Sequence, residues 1–335
     1  MSEKTSIDYI TPHWHLGCDQ WCKECYVGAR DRTISTPLAE RIRAIDTLMS
    51  YNPKQFYIAG GNPTIDPYIE QTVAELKKRG IKVGVTSNSW ALPHIKNLAE
   101  FLNNVDDRMA TFYSNGAEMH DALCGSKGSF NRLKNNISNL SSQGYSFIPI
   151  INIMPQNNNK VYDIIKGLQE FINFDKVLFQ RIMPSGSALE HNNLYLNPDD
   201  FKNIFKQFAQ AKDDFNLTEI SSDMPAPPCL VGDNEFMDNY SFGISYFPLD
   251  WKGRLFASSF DLMQPKFALF GGKPVWEVRG DLITQIDADP VIKEYREKKY
   301  LPAKCKKCSK YENCFGGFPI RGADGKIYMD RLLTK

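Results

Sequence analysis

The sequence predicts an α/β protein in which six β/α units form a partial barrel, followed by a smaller C-terminal domain. Short runs of β-branched and aromatic residues alternate with amphipathic helical segments from residue 7 to residue 212. Such alternation indicates parallel strands joined by right-handed crossovers. Eight units close a TIM barrel, so six units indicate a TIM-like partial barrel with an open side. The strand candidates are residues 7–11, 55–59, 81–86, 109–114, 146–153 and 177–182.

The helical segments between these strands have recognisable ends and apolar faces. Thr36 and Asp66 each precede a proline, which is the pattern of an N-cap residue followed by proline at the first helical position. Residues 77–80 read Lys-Lys-Arg-Gly, so basic side chains and then a glycine end the second helix. Three later helices carry apolar stripes that predict core faces: Phe130, Leu133, Ile137 and Leu140; Val161, Ile164, Ile165, Leu168 and Phe171; and Phe201, Ile204, Phe205 and Phe208.

The β/α alternation stops after Phe215, where we expect a domain boundary. The segment 221-SSDMPAPPCLVGD-233 is rich in proline and predicts a break. Beyond it, residues 244–260 predict a hairpin that turns at Asp250–Gly253, and residues 288–299 predict a helix. The expected domains are therefore residues 1–215 and 216–335. Ligands of the first domain are expected at the C-terminal ends of its strands.

Composition argues against several classes of partner. The chain of 335 residues has 40 basic and 39 acidic side chains, which gives no electrostatic reason to expect nucleic acid or an anionic membrane as partner. Its N-terminal segment lacks the apolar region of a signal peptide, and no apolar run reaches the roughly 18 residues of a membrane helix. We therefore expect a soluble, cytoplasmic protein, in which the eight cysteines favour metal sites over disulfides.

The stretch 17-GCDQWCKECYVG-28 places three cysteines within eight residues, directly after the first strand. The spacing is Cys18-x3-Cys22-x2-Cys25, which supplies three thiolates. We favour an iron–sulfur cluster that these thiolates hold while one iron stays open, because a catalytic metal needs an open position.

Two other interpretations of this stretch remain open at the level of sequence. A zinc site needs a fourth ligand, which His13 or His15 can supply, although zinc sites more often use paired CxxC units. The three cysteines can also be inert buried thiols.

The three-cysteine motif and its position after the first of several β/α units resemble the radical S-adenosylmethionine (radical SAM) superfamily. In that family the open iron binds the amino and carboxylate groups of SAM. Reductive cleavage of SAM gives a 5′-deoxyadenosyl radical, which abstracts a hydrogen atom from the substrate. The resemblance implies a 4Fe-4S cluster on Cys18, Cys22 and Cys25, SAM as the second cofactor, and a reducing partner of the flavodoxin or ferredoxin type.

Other segments extend the resemblance and imply where SAM binds. The end of the second strand, 57-YIAGGNPT-64, is similar to the family's Gly-Gly-Glu-Pro element, which holds the SAM amino group, with asparagine in place of glutamate. The segments 86-TSNSW-90 and 113-YSNG-116 resemble elements that end the third and fourth strands. Before the third cysteine, where relatives carry an aromatic residue or histidine near the adenine, this chain has glutamate. The implied SAM-binding residues are Gly60, Gly61, Asn62, Pro63, Ser87, Asn88, Ser114 and Glu24.

The second cysteine group, 305-CKKCSKYENCFGGFP-319, resembles the family's SPASM extension, which carries auxiliary iron–sulfur clusters. Phe318 and Ser258 stand where the complete pattern has further cysteines, so the extension is reduced. Four thiols suit one auxiliary 4Fe-4S cluster, and structural zinc is the alternative on spacing alone. Without a fourth thiol, that cluster has an open iron that can bind substrate. The implied auxiliary ligands are Cys229, Cys305, Cys308 and Cys314.

Cys124 belongs to neither cysteine group. It follows the fourth strand and therefore lies near the edge where ligands are expected. It is either a small packed thiol or a hydrogen-atom donor near the radical site.

The resemblance also implies a class of reaction. Enzymes with this extension mostly modify peptides, and the open side of a partial barrel suits an extended substrate. We therefore expect a radical SAM oxidoreductase that modifies a ribosomally synthesised peptide by cross-linking, thioether formation or epimerisation. Oxidation or rearrangement of a small metabolite, such as a sugar or a tetrapyrrole, is a second possibility. A zinc-binding or electron-transfer protein without catalysis is the alternative from another class.

Overall fold

A parallel sheet of eight strands, curled into a half barrel, is the centre of the fold. The computed structural model describes residues 5–28, 31–222, 227–231, 243–311, 314–322 and 324–329. The strands are β1 (Tyr9–Pro12), β2 (Gln55–Ile58), β3 (Lys82–Ser87), β4 (Asp107–Phe112), β5 (Ile148–Ile153), β6 (Lys176–Arg181), β7 (Glu219–Ser221) and β8 (Tyr246–Leu249). Their order across the sheet is β7-β6-β5-β4-β3-β2-β1-β8, and each pairing is parallel.

All six predicted strands are present, which confirms the α/β partial barrel, and β7 and β8 extend the sheet at its two edges. The turn predicted at Asp250–Gly253 is present, since the N–H of Gly253 donates to the carbonyl of Asp250 at 3.0 Å. The strand before this turn is β8, which pairs with β1. The returning segment makes only a single antiparallel bridge, between Leu255 and Leu249. Of the proline-rich break, residues 223–226 and 232–233 lie outside the described part of the chain.

Helices cover the outer face of the sheet and connect its strands. The stripes predicted for α5, α6 and α7 are buried against the sheet, while Phe171 follows α6 and packs on the core half-buried. No helix in the described ranges combines the length and apolar character of a membrane span. The helices are α1 (Leu38–Met49), α2 (Ile69–Lys78), α3 (Leu98–Asn104), α4 (Ala117–Cys124), α5 (Ser129–Ser141), α6 (Val161–Gln169), α7 (Pro198–Phe215), α8 (Pro228–Val231), α9 (Leu282–Ala288) and α10 (Pro290–Glu297). A two-stranded antiparallel ribbon follows, with β9 (Ile320–Arg321) and β10 (Ile327–Tyr328).

The two predicted N-caps are wrong, because both side chains make contacts with distant parts of the chain. Helix α1 begins one residue later than predicted and α2 two residues later, and neither has a side-chain cap at its observed N-cap residue. The hydroxyl of Thr36 donates to the carbonyl of Trp251 at 2.8 Å. The carboxylate of Asp66 binds Arg41 and also accepts a hydrogen bond from the N–H of Tyr68 at 3.2 Å, in the turn before α2. A buried guanidinium requires an anionic partner, and this requirement outweighs the smaller gain of a helix cap.

Arg41 links the segment after the cysteine motif to the region that follows β2. Its side chain is fully buried and contacts both carboxylate oxygens of Asp66, at 2.5 and 2.9 Å. The same guanidinium donates to the carbonyl of Thr36 at 2.8 Å and to the hydroxyl of Ser35 at 3.0 Å. Because every contact is charge-assisted and shielded from water, the pair fixes these two segments against each other.

A second buried polar cluster attaches the C-terminal segment. The hydroxyl of Tyr295 donates to Asp261 at 3.0 Å, and Arg321 on β9 forms an ion pair with Glu294 at 2.7 Å. Burial raises the pKa of the Asp261 carboxyl to about 6, which the positive charge of Arg321 only partly offsets. The carboxyl is therefore protonated in the folded protein at pH values where it is ionised in the unfolded chain.

We predict that Asp261 makes the protein less stable as the pH rises. The folded state holds the proton up to about pH 6, whereas the unfolded chain releases it near 3.8, so stability falls between these values. Between pH 5 and pH 7, urea unfolding should show a loss of about 1 kcal/mol in wild type that Asp261→Asn does not show. Parallel pH profiles for the two proteins would contradict this assignment.

Candidate active site

One pocket at the C-terminal ends of the strands is lined by eight of the sixteen site residues that the sequence predicts. The loop after β1, the end of β2, the end of β3 and the ends of β4, β5 and β6 all contribute to its wall. This is the edge of a parallel sheet where ligands are expected. The predicted site residues in the wall are Cys18, Cys22, Cys25, Glu24, Gly60, Gly61, Ser87 and Asn88.

The three thiols of the cysteine loop interact electrostatically. The pKa of Cys18 is raised to about 12, mainly by burial and also by the neighbouring charges of Asp19 and Cys25. The pKa of Cys22 is also well above its usual range, mainly through burial and then through the charge of Glu24. These two thiols are therefore protonated when no metal is bound, and a metal that binds them must displace their protons.

The described residues contain no group of three or more His, Cys, Asp or Glu side chains placed to hold a single metal ion. A four-iron cluster makes a different demand, because each thiolate binds a different iron.

The cysteine loop and the end of β2 are joined backbone to backbone. The N–H of Gly61 donates to the carbonyl of His15, and the N–H of Asn62 donates to the carbonyl of Gly17, both at 2.8 Å. A Cβ atom on Gly61 would lie 1.9 Å from the Gly17 oxygen, and one on Gly60 would lie 2.3 Å from the His15 oxygen. Gly60 also has a φ of +128°, which side chains rarely permit. Only glycine therefore fits at these two positions.

The side chain of Asn62 makes hydrogen bonds inside the protein rather than at the pocket surface. Its side chain is 1% exposed and does not line the pocket. Its Oδ1 accepts hydrogen bonds from the hydroxyls of Thr64 and Ser87, at 2.8 and 3.0 Å, and from the N–H of Thr64 at 3.3 Å. The oxygen expected to face the SAM amino group is thus occupied by its neighbours.

Asp19 is a residue that the sequence reasoning missed. Its carboxylate accepts hydrogen bonds from the amide of Asn62 at 3.1 Å and from the amide of Asn88 at 2.6 Å. Its Oδ1 also lies 4.0 Å from the sulfur of Cys18. Two facts in the sequence could have indicated it: an acidic residue directly follows the first cysteine, and the element after β2 lacks its glutamate.

Glu24 lines the pocket and is buried beside Tyr113, at the end of β4, and Asn152 on β5. The hydroxyl of Tyr113 donates to Oε1 of Glu24. Burial raises the pKa of Glu24 to about 7. Within the described chain, Oε2 of Glu24 and Oδ1 of Asn152 are buried without a hydrogen-bond partner. Buried acceptors normally have donors, so this part of the pocket suits a ligand that carries N–H or O–H groups.

Like Asn62, three further residues predicted for this site do not reach the pocket wall. Pro63 begins a 3-10 turn, and the hydroxyl of Ser114 accepts a hydrogen bond from the N–H of Gly116 at 3.3 Å. Cys124 is fully buried at the end of α4, where its thiol lies 3.8 Å from the carbonyl oxygens of Asp121 and Ser126. The structure therefore does not bring these three side chains to the pocket.

The four C-terminal thiols lie within electrostatic range of one another. Partial burial raises the pKa of Cys229, and the charges of Cys314, Cys305 and Cys308 raise it further. The sulfur of Cys314 accepts a hydrogen bond from the N–H of Gly316 at 3.3 Å. Residues far apart in sequence thus meet at one place.

The two positions that lack the expected extra cysteines have packing roles. Phe318 packs edge-on against Phe260, with ring centroids 5.3 Å apart, and Phe260 lines the pocket. Ser258 is buried, and its hydroxyl accepts a hydrogen bond from the N–H of Phe260 at 3.2 Å. The C-terminal segment therefore supports one wall of the pocket.

Comparison with known families identifies a family that the residues around this pocket resemble. The model of the radical SAM superfamily matches residues 14–168, which include the cysteine loop and the glycines after β2. Over this stretch the chain is similar to the radical SAM superfamily. No curated protein matches the chain.

The stretch that matches this family and the C-terminal segment together resemble several solved structures. Streptococcus suis SuiB bound to the precursor peptide SuiA superposes with a TM-score of 0.79 at 14% identity, over 99% of this chain and 77% of SuiB. SuiB bound to S-adenosylmethionine gives 0.79 at 13% identity, over 99% and 78%. Native anSMEcpe with bound AdoMet and the Cp18Cys peptide gives 0.71 at 15% identity, over 98% and 94%. Identities this low show a shared fold.

We predict that Gly61→Ala separates the cysteine loop from β2. The added methyl group overlaps a backbone oxygen that cannot move without breaking the hydrogen bonds beside it. The free energy of unfolding should fall by about 1–3 kcal/mol, and iron bound per chain after anaerobic reconstitution should fall as well. Gly116→Ala is the matched control, because no atom lies within 4 Å of a Cβ there. Equal iron content and stability in both variants would refute the role given to this contact.

Proposed function

We propose that this chain is an enzyme that reductively cleaves SAM and removes a hydrogen atom from its substrate. The observation that carries the proposal is the convergence on one pocket of three thiols and the Gly60–Gly61 backbone from the stretch that is similar to the radical SAM superfamily. The pocket residues fit the cofactors, since the thiols can hold a cluster and the unpartnered acceptors suit a polar ligand. When bound, the cluster supplies the electron that cleaves SAM into methionine and the 5′-deoxyadenosyl radical.

In this proposal the residues of the chain bind and orient the cluster and SAM. Cys18, Cys22 and Cys25 hold the cluster, and the bare backbone of the two glycines lets the methionine end of SAM approach closely. Glu24, which lines the pocket and accepts a hydrogen bond from Tyr113, is assigned to the adenine end of SAM. The surrounding strands exclude water from the reacting atoms, which protects a reactive radical from side reactions.

A peptide is the substrate class that we favour. The half barrel is open on one side, which gives an extended chain access to the pocket. The two structural neighbours support this choice, because SuiB was crystallised with a precursor peptide and anSMEcpe with a short peptide. We propose the modification of a ribosomally synthesised peptide by a cross-link, thioether or epimerisation. An electron donor of the flavodoxin or ferredoxin class is required as a partner.

We also propose one auxiliary 4Fe-4S cluster in the C-terminal segment. Its ligands are Cys305, Cys308 and Cys314, with Cys229 as the fourth. Besides partial burial, the charges of the other three thiols raise the pKa of Cys229, and those of Cys314 and Cys308 raise the pKa of Cys305, which supports this grouping because such effects require nearby sulfurs. The N–H donated to the sulfur of Cys314 is a contact that stabilises a thiolate ligand.

The function is tested by assaying the anaerobically purified, iron-loaded protein for 5′-deoxyadenosine after reduction. We expect its formation from SAM in wild type and its loss in Cys22→Ala, which removes one cluster ligand. Glu118→Gln, an exposed change on α4, is the control and should retain activity. A fully loaded protein that binds SAM, receives electrons and forms no 5′-deoxyadenosine with a range of peptides would refute the proposal.

The second cluster is tested by counting iron. Two four-iron clusters give about eight irons per chain, and the triple variant of Cys18, Cys22 and Cys25 to alanine should retain about four. Adding Cys229→Ala to that triple variant should lower the remaining iron or make it labile to chelators. Unchanged iron content and lability after this addition would remove Cys229 from the ligand set.

A further inference from the structure

The carboxylate of Asp19 lies next to the pocket wall and is held by two amides. Asp19 directly follows Cys18 and is partly exposed; it does not itself line the pocket, but it lies beside two residues of the wall, Cys18 and Asn88. Asn88 donates to Oδ1 at 2.6 Å, and Asn62 donates to Oδ1 at 3.1 Å and to Oδ2 at 3.3 Å. Among the described residues, Oδ2 receives only the longer contact and keeps acceptor capacity for another donor.

Within the described ranges, Asp19 takes part in no ion pair, and its neutral amide partners orient it without cancelling its charge. Arg32 lies close by, where its Nε donates to the carbonyl of Cys18 at 3.4 Å. A carboxylate that two amides hold, with acceptor capacity left on Oδ2, is suited to receive N–H bonds from an amino group.

Asn62 cannot serve in the same way. Its only side-chain acceptor, Oδ1, already receives three hydrogen bonds from Thr64 and Ser87, and the side chain is 1% exposed. Its amide group instead points at Asp19. Asn62 therefore acts as a positioning residue that turns the carboxylate of the cysteine loop.

We propose that Asp19 accepts the hydrogen bonds of the SAM amino group in this chain. The acidic group that relatives carry after the second strand is thereby moved to the cysteine loop, and Asn62 orients it. This inference rests on the proposed function, because it assumes that SAM occupies the pocket. Asp19 then fixes the amino group next to the iron that the three thiolates leave open.

Binding measurements test the proposal without relying on turnover. The probes are SAM and its analogue without the α-amino group, whose dissociation constants are measured by anaerobic equilibrium dialysis on the iron-loaded protein. Wild type should prefer SAM by roughly ten- to a hundredfold, the range expected for hydrogen bonds to a charged acceptor. Asp19→Asn should lower this preference about tenfold, because SAM loses the hydrogen bonds to the carboxylate whereas the analogue never made them, and a bond from the amino nitrogen to the open iron would account for the preference that remains.

Two further variants make the test specific. Asp31→Asn makes the same chemical change at a fully exposed aspartate after the cysteine motif, and should leave both affinities unchanged. The double variant Asp19→Asn/Asn62→Glu returns the carboxylate to the position used by relatives, and should regain at least part of the preference for SAM.

The outcomes distinguish a SAM-binding role of Asp19 from a purely structural one, and they test this role separately from the proposed SAM cleavage. If Asp19→Asn keeps the preference, or loses affinity for both probes equally, the proposal is overturned. If Asp19→Asn fails to hold iron, the double variant decides: a retained preference supports the proposal, and a lost one overturns it. A wild type that discriminates between the probes but forms no 5′-deoxyadenosine would leave Asp19 assigned and refute the proposed reaction.

Discussion

The backbone contact between the cysteine loop and the two glycines after β2 is the constraint on which the site depends. It brings three thiols and an uncovered stretch of backbone to one side of the pocket, and only glycine permits it. Other features secure the same contact from outside. The buried pair of Arg41 and Asp66 fixes the segments that flank it, and the amides of Asn62 and Asn88 hold the carboxylate within the loop. The geometry of the cysteine loop therefore depends on contacts made by residues outside the loop.

Local patterns predicted most of the fold, because strands and the apolar stripes of helices produce a short-range periodicity in the sequence. All six β/α strands and the core faces of α5, α6 and α7 were found in this way. The failures share one cause, which is that the deciding partner is distant in sequence. β8 was predicted as half of a hairpin, but pairing with β1 buries its apolar side chains better. Thr36 and Asp66 have the chemistry of helix caps, yet Trp251 and Arg41 take their polar groups.

The site was predictable where residue type and spacing alone carry the chemistry. The three cysteines, both glycines and Glu24 line the pocket as expected. Asn62 and Asp19 show the limit of such reasoning. A motif identifies the residue at a position, whereas the direction of its side chain depends on the neighbours that compete for it. Three donors take the oxygen of Asn62, and its amide donates to the carboxylate of Asp19, a residue that no motif names.

The central claim is that SAM binds directly to the iron that three cysteines leave open. Electron–nuclear double resonance on the reduced protein tests it most directly, with SAM labelled by ¹⁵N in its amino group and ¹⁷O in its carboxylate. Replacing Cys305, Cys308 and Cys314 by alanine removes the signal of the auxiliary cluster. The account predicts hyperfine coupling of both labels to the remaining cluster. Bound SAM that shows neither coupling would contradict it.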